Sequence, residues 1–155
     1  MHKKTISYVI SIALALIVGS ASALLTSDSM DIYSSVKTPP LSPPSIVFPI
    51  VWTILFTLMG ISAARIYIAN DYQFSSALII YAVQLAMNFA WSLIFFNGRY
   101  FLFAFIWLLV LWALILTMII KFYRIDKTAA LLQIPYLLWV TFAGYLNLGI
   151  YLLNR

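Results

Sequence analysis

The chain has 155 residues, 65% of them hydrophobic, 17% aromatic and only 8% charged, and its mean hydropathy is +1.03, more apolar surface than a water-soluble domain can bury. Nine Lys and Arg against four acidic residues give a pI near 9.6, but the basic residues are scattered between apolar runs and form no stripe, which excludes a nucleic-acid-binding surface. Cysteine is absent and the single histidine, His2, stands at the start of the chain, so no disulfide and no His or Cys metal site can form within a membrane.

About 20 apolar residues cross a hydrocarbon core of about 30 Å. The apolar runs fall at about 5–25, 45–68, 74–96, 100–121 and 128–153, and each is long enough to cross. The expected fold is therefore all-α, a single five-helix transmembrane domain over residues 1–155 held in the lipid bilayer. The first run has a rival reading as a cleavable signal, with His2-Lys3-Lys4 ahead of it and Ala21-Ser22-Ala23 at its end. Its apolar stretch is longer than the ~7–15 residues of a signal core, and Ala15, Gly19 and Ala23 form a small-residue ridge suited to close helix packing. It is read here as the first helix.

Residues 26–44 form the one long connection. The run Pro39-Pro40-Leu41-Ser42-Pro43-Pro44 restricts its backbone and lowers the entropy lost on folding, so the segment reads either as a stiff lid or as a rigid connector with Ser42 as the N-cap of the second helix. The second run places Trp52, Phe56 and Met59 or Gly60 along one face. In the third, Gln84, Asn88, Trp91 or Ser92, and Phe95 recur at spacings of three and four. Ala82, Ala86 and Ala90 form a second stripe there, open either to a homodimer contact or to a helix of the same bundle. The fifth run repeats the mixed pattern with Tyr136, Trp139 or Val140, Ala143 and Asn147. Pro135 lacks an N–H and clashes with the carbonyl of Leu131, which predicts a kink where that stripe begins.

Three stripes of rings and amides suit a flat, mostly apolar ligand: the rings supply stacking area and the amides orient a few polar substituents. The plainer alternative is that the amides bond neighbouring helices and the tryptophans sit at the headgroup level. Trp139 resists that alternative because it lies near the middle of its run. No acidic or basic residue lies deep in a run, and no Ser-His-Asp set, carboxylate pair or Gly-rich phosphate loop is present, so ion relays and conventional acid–base or nucleophilic catalysis lack their parts. Lys3, Lys4, Arg65, Lys121, Arg124 and Lys127 fall on one side and Lys37, Arg99 and Arg155 on the other, which places the amino terminus in the cytoplasm and residues 26–44 and the carboxyl terminus outside.

Four blocks in order carry a resemblance: Lys37 to Pro44; Phe48-Pro49-Ile50-Val51-Trp52-Thr53-Ile54-Leu55-Phe56 leading to Met59-Gly60; Gln84-Leu85, Asn88 and Trp91-Ser92 before Phe95-Phe96; and Pro135-Tyr136, Trp139, Ala143 and Leu146-Asn147. Over nearly its whole length the chain resembles the tryptophan-rich translocator protein family, formerly called the peripheral-type benzodiazepine receptor, in its bacterial form. The resemblance implies a five-helix bundle, usually a homodimer, with a ligand cavity under the first loop. Members bind porphyrins, especially protoporphyrin IX, isoquinoline carboxamide ligands and, in animals, cholesterol; no resident cofactor is implied.

Carried over by position, Trp52, Phe56, Asn88, Trp139, Ala143, Leu146 and Asn147 would line the cavity, with Tyr33 and Pro43 in its lid. Trp91 and Ser92 join them from the stripe of the third run. The expected role is a membrane receptor or carrier in tetrapyrrole handling or the stress response. The alternative is an enzyme that degrades porphyrin in light and oxygen, with Trp52 and Trp139 as the catalytic residues. Leu41, where animal members carry an aromatic, and Phe56, in place of a common Tyr, are departures that bear on ligand preference.

Overall fold

The computed structural model describes residues 2–29 and 31–155. Five helical stretches among them are long and apolar enough to cross a membrane. The elements are α1 (His2–Thr26), a 3-10 turn (Ser27–Ser29), α2 (Ile32–Ser35), α3 (Val47–Ala69), α4 (Ser76–Ser92) continuing as a π-helical segment (Leu93–Asn97), α5 (Phe101–Ile125), α6 (Lys127–Leu131) and α7 (Ile134–Leu153). The five expected crossings are α1, α3, α4 with its π segment, α5, and α6 with α7. α1 and α5 run further than expected, to Thr26 and Ile125, and the connection expected over 26–44 contains two short helical turns.

α1 packs along α3, α4 along α5, and α5 along α7. The contact of α1 with α3 is close because Gly60 has no side chain: a Cβ there would stand 2.5 Å from Ile12 Cα. From the other direction the ring of Phe56 packs onto Gly19, and Ala15 is fully buried, so the small-residue ridge of α1 faces α3. Ser42 does not cap α3. Its hydroxyl donates to the Pro39 carbonyl at 2.7 Å, and the helix is entered through a turn in which Val47 N–H bonds to Pro44 O at 3.0 Å. Ser42 is too far upstream to reach the free N–H groups of the first turn, which belongs to Val47.

The fifth crossing is broken at Leu132-Gln133, between α6 and α7, and Pro135 stands in the first turn of α7. A proline at that position lacks the N–H that would have bonded to Leu131, so the helix restarts instead of continuing. The two pieces differ in one neighbour: both lie against α5, but α6 also meets α3, which α7 hardly touches. Two polar contacts fasten the α6 end. Ser62 Oγ donates to Ala129 O at 2.7 Å, and Arg65 of α3 pairs with Asp126 at 2.8 Å. Asp126 is also the N-cap of α6, accepting from Ala129 N–H at 3.0 Å. Arg65 is therefore fixed to a partner at the bundle end.

Partial burial pushes the Asp126 carboxyl pKa up, but the Ala129 N–H and the hydrogen bond and charge of Arg65 outweigh it and hold the pKa below the ordinary value. A depressed carboxylate stabilises the fold above its unfolded pKa of ~3.9, and that contribution is lost as pH falls through the lower folded value. Asp126→Asn keeps a good N-cap and removes the charge, so it should cost at most about 1 kcal/mol at neutral pH. Asp126→Ala removes the cap as well and should cost about 1 kcal/mol more. Thermal unfolding in detergent between about pH 7 and pH 3 should show a shallower acid loss for Asp126→Asn than for wild type; parallel curves would mean that other carboxylates set the acid limit.

Candidate functional site

Where α7 diverges from α3, side chains rather than backbones fill the space, and a cavity of about 120 Å³ remains. Phe48, Trp52 and Phe56 line it from α3, Asn88, Trp91 and Ser92 from α4, Trp139, Ala143, Leu146 and Asn147 from α7, and Tyr33 from above. All the lining residues expected from the sequence are thus brought to one cavity, with the exception of Pro43, which lies beyond the lining residues in the strap that follows α2.

Sequence reasoning missed two parts of the wall. One is α1, which contributes Gly19, Ser22, Ala23 and Thr26. The other is Phe96 of the π-helical segment, which lines the cavity together with Phe95, the expected end of the third stripe, although the two are adjacent in sequence. An α-helix turns successive residues apart by about 100°, and a π-helical widening reorients the side chains at its wall. Gly98 N–H bonding to Leu93 O at 2.9 Å marks the wider turn.

The rings form three groups. Tyr33 is 5.0 Å from Phe48, Phe48 is 5.9 Å from Trp139 edge-on, and Trp139 is 5.6 Å from Phe142. On the other wall Trp52 lies 5.6 Å from Phe56 and 6.3 Å, edge-on, from Tyr136. Trp91 stacks on Phe95 at 5.4 Å.

The amides that the sequence places on this face are engaged inside the bundle. Tyr136 Oη donates to Gln84 Oε1 at 2.7 Å and accepts from Asn88 Nδ2 at 2.9 Å, tying α7 to α4. Asn147 Oδ1 accepts from the Trp91 indole at 3.2 Å, and its Nδ2 donates to Phe101 O at 2.8 Å. The tryptophans divide in the same way. Trp91 bonds to Asn147, Trp107 donates to Met87 O at 2.9 Å and Trp112 to Thr141 Oγ1 at 2.9 Å, each joining two helices. Among the described residues, Trp52 and Trp139 are the two whose indole N–H makes no hydrogen bond in the protein, and both line the cavity. They offer a guest a ring face together with an uncommitted donor.

The connection that follows α2, which reaches the cavity through Tyr33 alone, is fastened to the far end of α7. Asn154 brackets Lys37, accepting from its N–H at 3.0 Å and donating to its carbonyl at 2.8 Å. Tyr145 Oη donates to Pro40 O at 2.7 Å. Between these points Pro39 is buried against Gly149, where a Cβ would stand 2.6 Å from the proline ring. The connection is a strap with defined attachments. Leu41 at its apex is 84% exposed with φ 68°, a left-handed conformation that costs a non-glycine residue about 1–2 kcal/mol and is held by these attachments.

A five-crossing membrane protein with an aromatic cavity beneath a strapped loop is the class of molecule these features define. The family model described as TspO/MBR family matches residues 11–153. The tryptophan-rich protein TspO of Chlorobaculum tepidum is 35% identical over 99% of both chains, and that of Archaeoglobus fulgidus 36% identical over 94% of this chain and 95% of its own. The translocator protein of Bos taurus is 32% identical over 74% of this chain and 70% of its own. The chain belongs to the TspO/MBR family.

The strap attachments have a direct consequence. Asn154→Ala removes two bonds to Lys37, and Gly149→Ala drives a methyl group into Pro39, so each should raise amide hydrogen exchange across residues 31–44 while α3 to α5 keep their protection. Hydrogen–deuterium exchange with peptide mass spectrometry reads this. Unchanged exchange in both variants would show that the strap is held by something other than α7.

Proposed function

We propose that the protein is a cell-membrane receptor or carrier for porphyrins, protoporphyrin IX foremost, and for other flat apolar ligands such as isoquinoline carboxamides, acting in tetrapyrrole handling or the stress response. The observation that carries this reading is the position of Trp52 and Trp139: both line one cavity, from α3 and from α7, with their N–H groups unspent. Ring stacking and apolar burial supply affinity, at roughly 25 cal/mol per Å² before ordering costs, and the free indoles can donate to a carboxylate. At about 120 Å³ the cavity is smaller than the ~300–1,000 Å³ of a typical small-molecule site, so a macrocycle requires its walls to part. The α3–α7 side, bridged by rings and not by packed backbone, is where they can do so at least cost.

Affinity built this way hardly senses a central metal. Among the described lining residues there is no His, Cys or Met to hold iron, and Tyr33, the one phenol, packs against Phe48. Metal-free protoporphyrin IX should therefore bind at least as tightly as haem in fluorescence-quenching titrations, and Trp139→Phe should weaken it less than Trp139→Ala. Haem binding tenfold tighter, about 1.4 kcal/mol, would reveal an axial ligand and contradict the stacking account.

A second reading, light- and oxygen-dependent porphyrin degradation, is favoured by one contact. Trp52 lies edge-on to Tyr136, a hydrogen-bonded phenol able to return an electron to an oxidised indole. Illumination of purified protein with protoporphyrin IX under air separates the two. A carrier returns porphyrin unchanged, whereas an enzyme yields a product by mass spectrometry that is lost in Trp139→Phe even where binding persists.

The proposed orientation has the amino terminus in the cytoplasm and the strap outside, from the six-to-three distribution of Lys and Arg. Ser35 and Thr128 are both exposed, and the chain has no cysteine, so Ser35→Cys should react with an impermeant maleimide on intact cells and Thr128→Cys should not. The reverse pattern would invert the topology. A homodimer through α4 is also proposed, because Ala82 and Ala86 are exposed and Ala90 half-buried in a single chain. Ala86→Leu should convert dimer to monomer without unfolding; an unchanged dimer would place the interface elsewhere.

A further inference from the structure

A second cavity lies at the opposite end of α1 from the aromatic one. It is an open groove of about 780 Å³ between the first halves of α1 and α4. α1 is packed along α3, and α4 chiefly along α5, so α1 and α4 do not close against each other here. Ile6, Ile10 and Leu14 form one wall, and Leu78, Leu85 and Phe74 the other. At the chain-start end the lining changes to His2 and Lys3. Lys3 Nζ stands 4.2 Å from the centre of the Tyr72 ring in the α3–α4 turn, which holds the ammonium at the mouth of the groove. Lys4 beside it is exposed; the turn also carries one exposed carboxylate, Asp71, while the other acidic group of this end, Asp126, is neutralised by Arg65.

We propose that this groove binds one anionic phospholipid, with an acyl chain along the Ile6–Ile10–Leu14 wall and the phosphate headgroup at Lys3. The site's shape and charge select that occupant. A lateral opening, an apolar floor and a cation at one end match an amphiphile whose head is negative and whose tail runs parallel to the helices. A neutral lipid would gain the same apolar burial without the attraction to Lys3. Basic pockets between membrane helices recognise anionic headgroups in this way. The inference is independent of what enters the aromatic cavity; Ala82 of the proposed dimer stripe also lines the groove, so the lipid and a second copy of the chain are neighbours on this face.

Native mass spectrometry of the full chain in detergent, titrated with phosphatidylglycerol or phosphatidylcholine of the same acyl chains, tests it. The expected result is one phosphatidylglycerol per chain, retained about fivefold better than phosphatidylcholine. Lys3→Gln should abolish that preference and Lys3→Arg should keep it. Ile10→Trp fills the groove from a position 52% exposed, where folding tolerates bulk, and should lower retention of both lipids. Equal retention of the two lipids by wild type, a preference that survives Lys3→Gln, or undiminished binding in Ile10→Trp would each overturn the proposal. A dimer fraction that falls in Ile10→Trp with no lipid loss would assign the groove to a second copy of the chain instead.

Discussion

The backbone nitrogen of Pro135 carries no hydrogen, and the arrangement of the molecule depends on that. A fifth crossing without a proline could run as one straight helix against both α3 and α5. The missing bond to Leu131 ends α6 and lets α7 restart at Ile134. α6 is then held to α3 by Ser62 and by the Arg65–Asp126 pair, while α7 follows α5. Between α3 and the fifth crossing the bundle is shut at one end and parted at the other, and the aromatic cavity occupies the parting.

A parted bundle inside a bilayer must still satisfy its polar groups, because lipid offers them no partners. Tyr136 does this next to the break, joining Gln84 and Asn88 of α4 to α7. Asn147 does it higher on α7, joining Trp91 and the start of α5. These bonds act as braces that keep α4, α5 and α7 in register while α3 and α7 stand apart. Gln84 Nε2, both ends of the Gln133 amide and Tyr81 Oη stay buried without a partner, but among the five tryptophans only Trp52 and Trp139 keep a free N–H, which makes those two different in kind from the other three. The strap that follows Tyr33 is anchored to α7 through Tyr145, Gly149 and Asn154.

The crossings were legible in the sequence because the length and hydropathy of each run are local properties fixed by the thickness of the bilayer. The break was legible for a related reason: the chemistry of Pro135 acts on its own helix and needs no knowledge of neighbours. Helical spacing also brought Trp52, Asn88 and Trp139 to one surface. What spacing could not reveal is which polar groups are already spent. Asn88 and Asn147 read equally as ligand-orienting amides or as bonds to a neighbouring helix, and each has its nitrogen bonded within the bundle, through partners 48 and 46 residues away. The π-helical turn at Leu93–Asn97 has no proline or glycine within it to announce it, and the anchorage of Lys37 by Asn154 spans 117 residues. The expected capping by Ser42 failed because a serine near a helix start is ambiguous until the position of the first turn is known.

The central claim is that two of the five indoles are free to meet a ligand and three are committed to the bundle. Nitrogen-15 labelling of tryptophan resolves the five indole N–H groups by nuclear magnetic resonance, and Trp52→Phe and Trp139→Phe assign the two in question. On addition of protoporphyrin IX, the signals of Trp52 and Trp139 should shift most and lose exchange with water, those of Trp107 and Trp112 should stay in place, and Trp91, which lines the cavity with its N–H bonded to Asn147, should keep slow hydrogen exchange throughout. A shift confined to Trp91, or five signals unmoved at saturating ligand, would contradict the account.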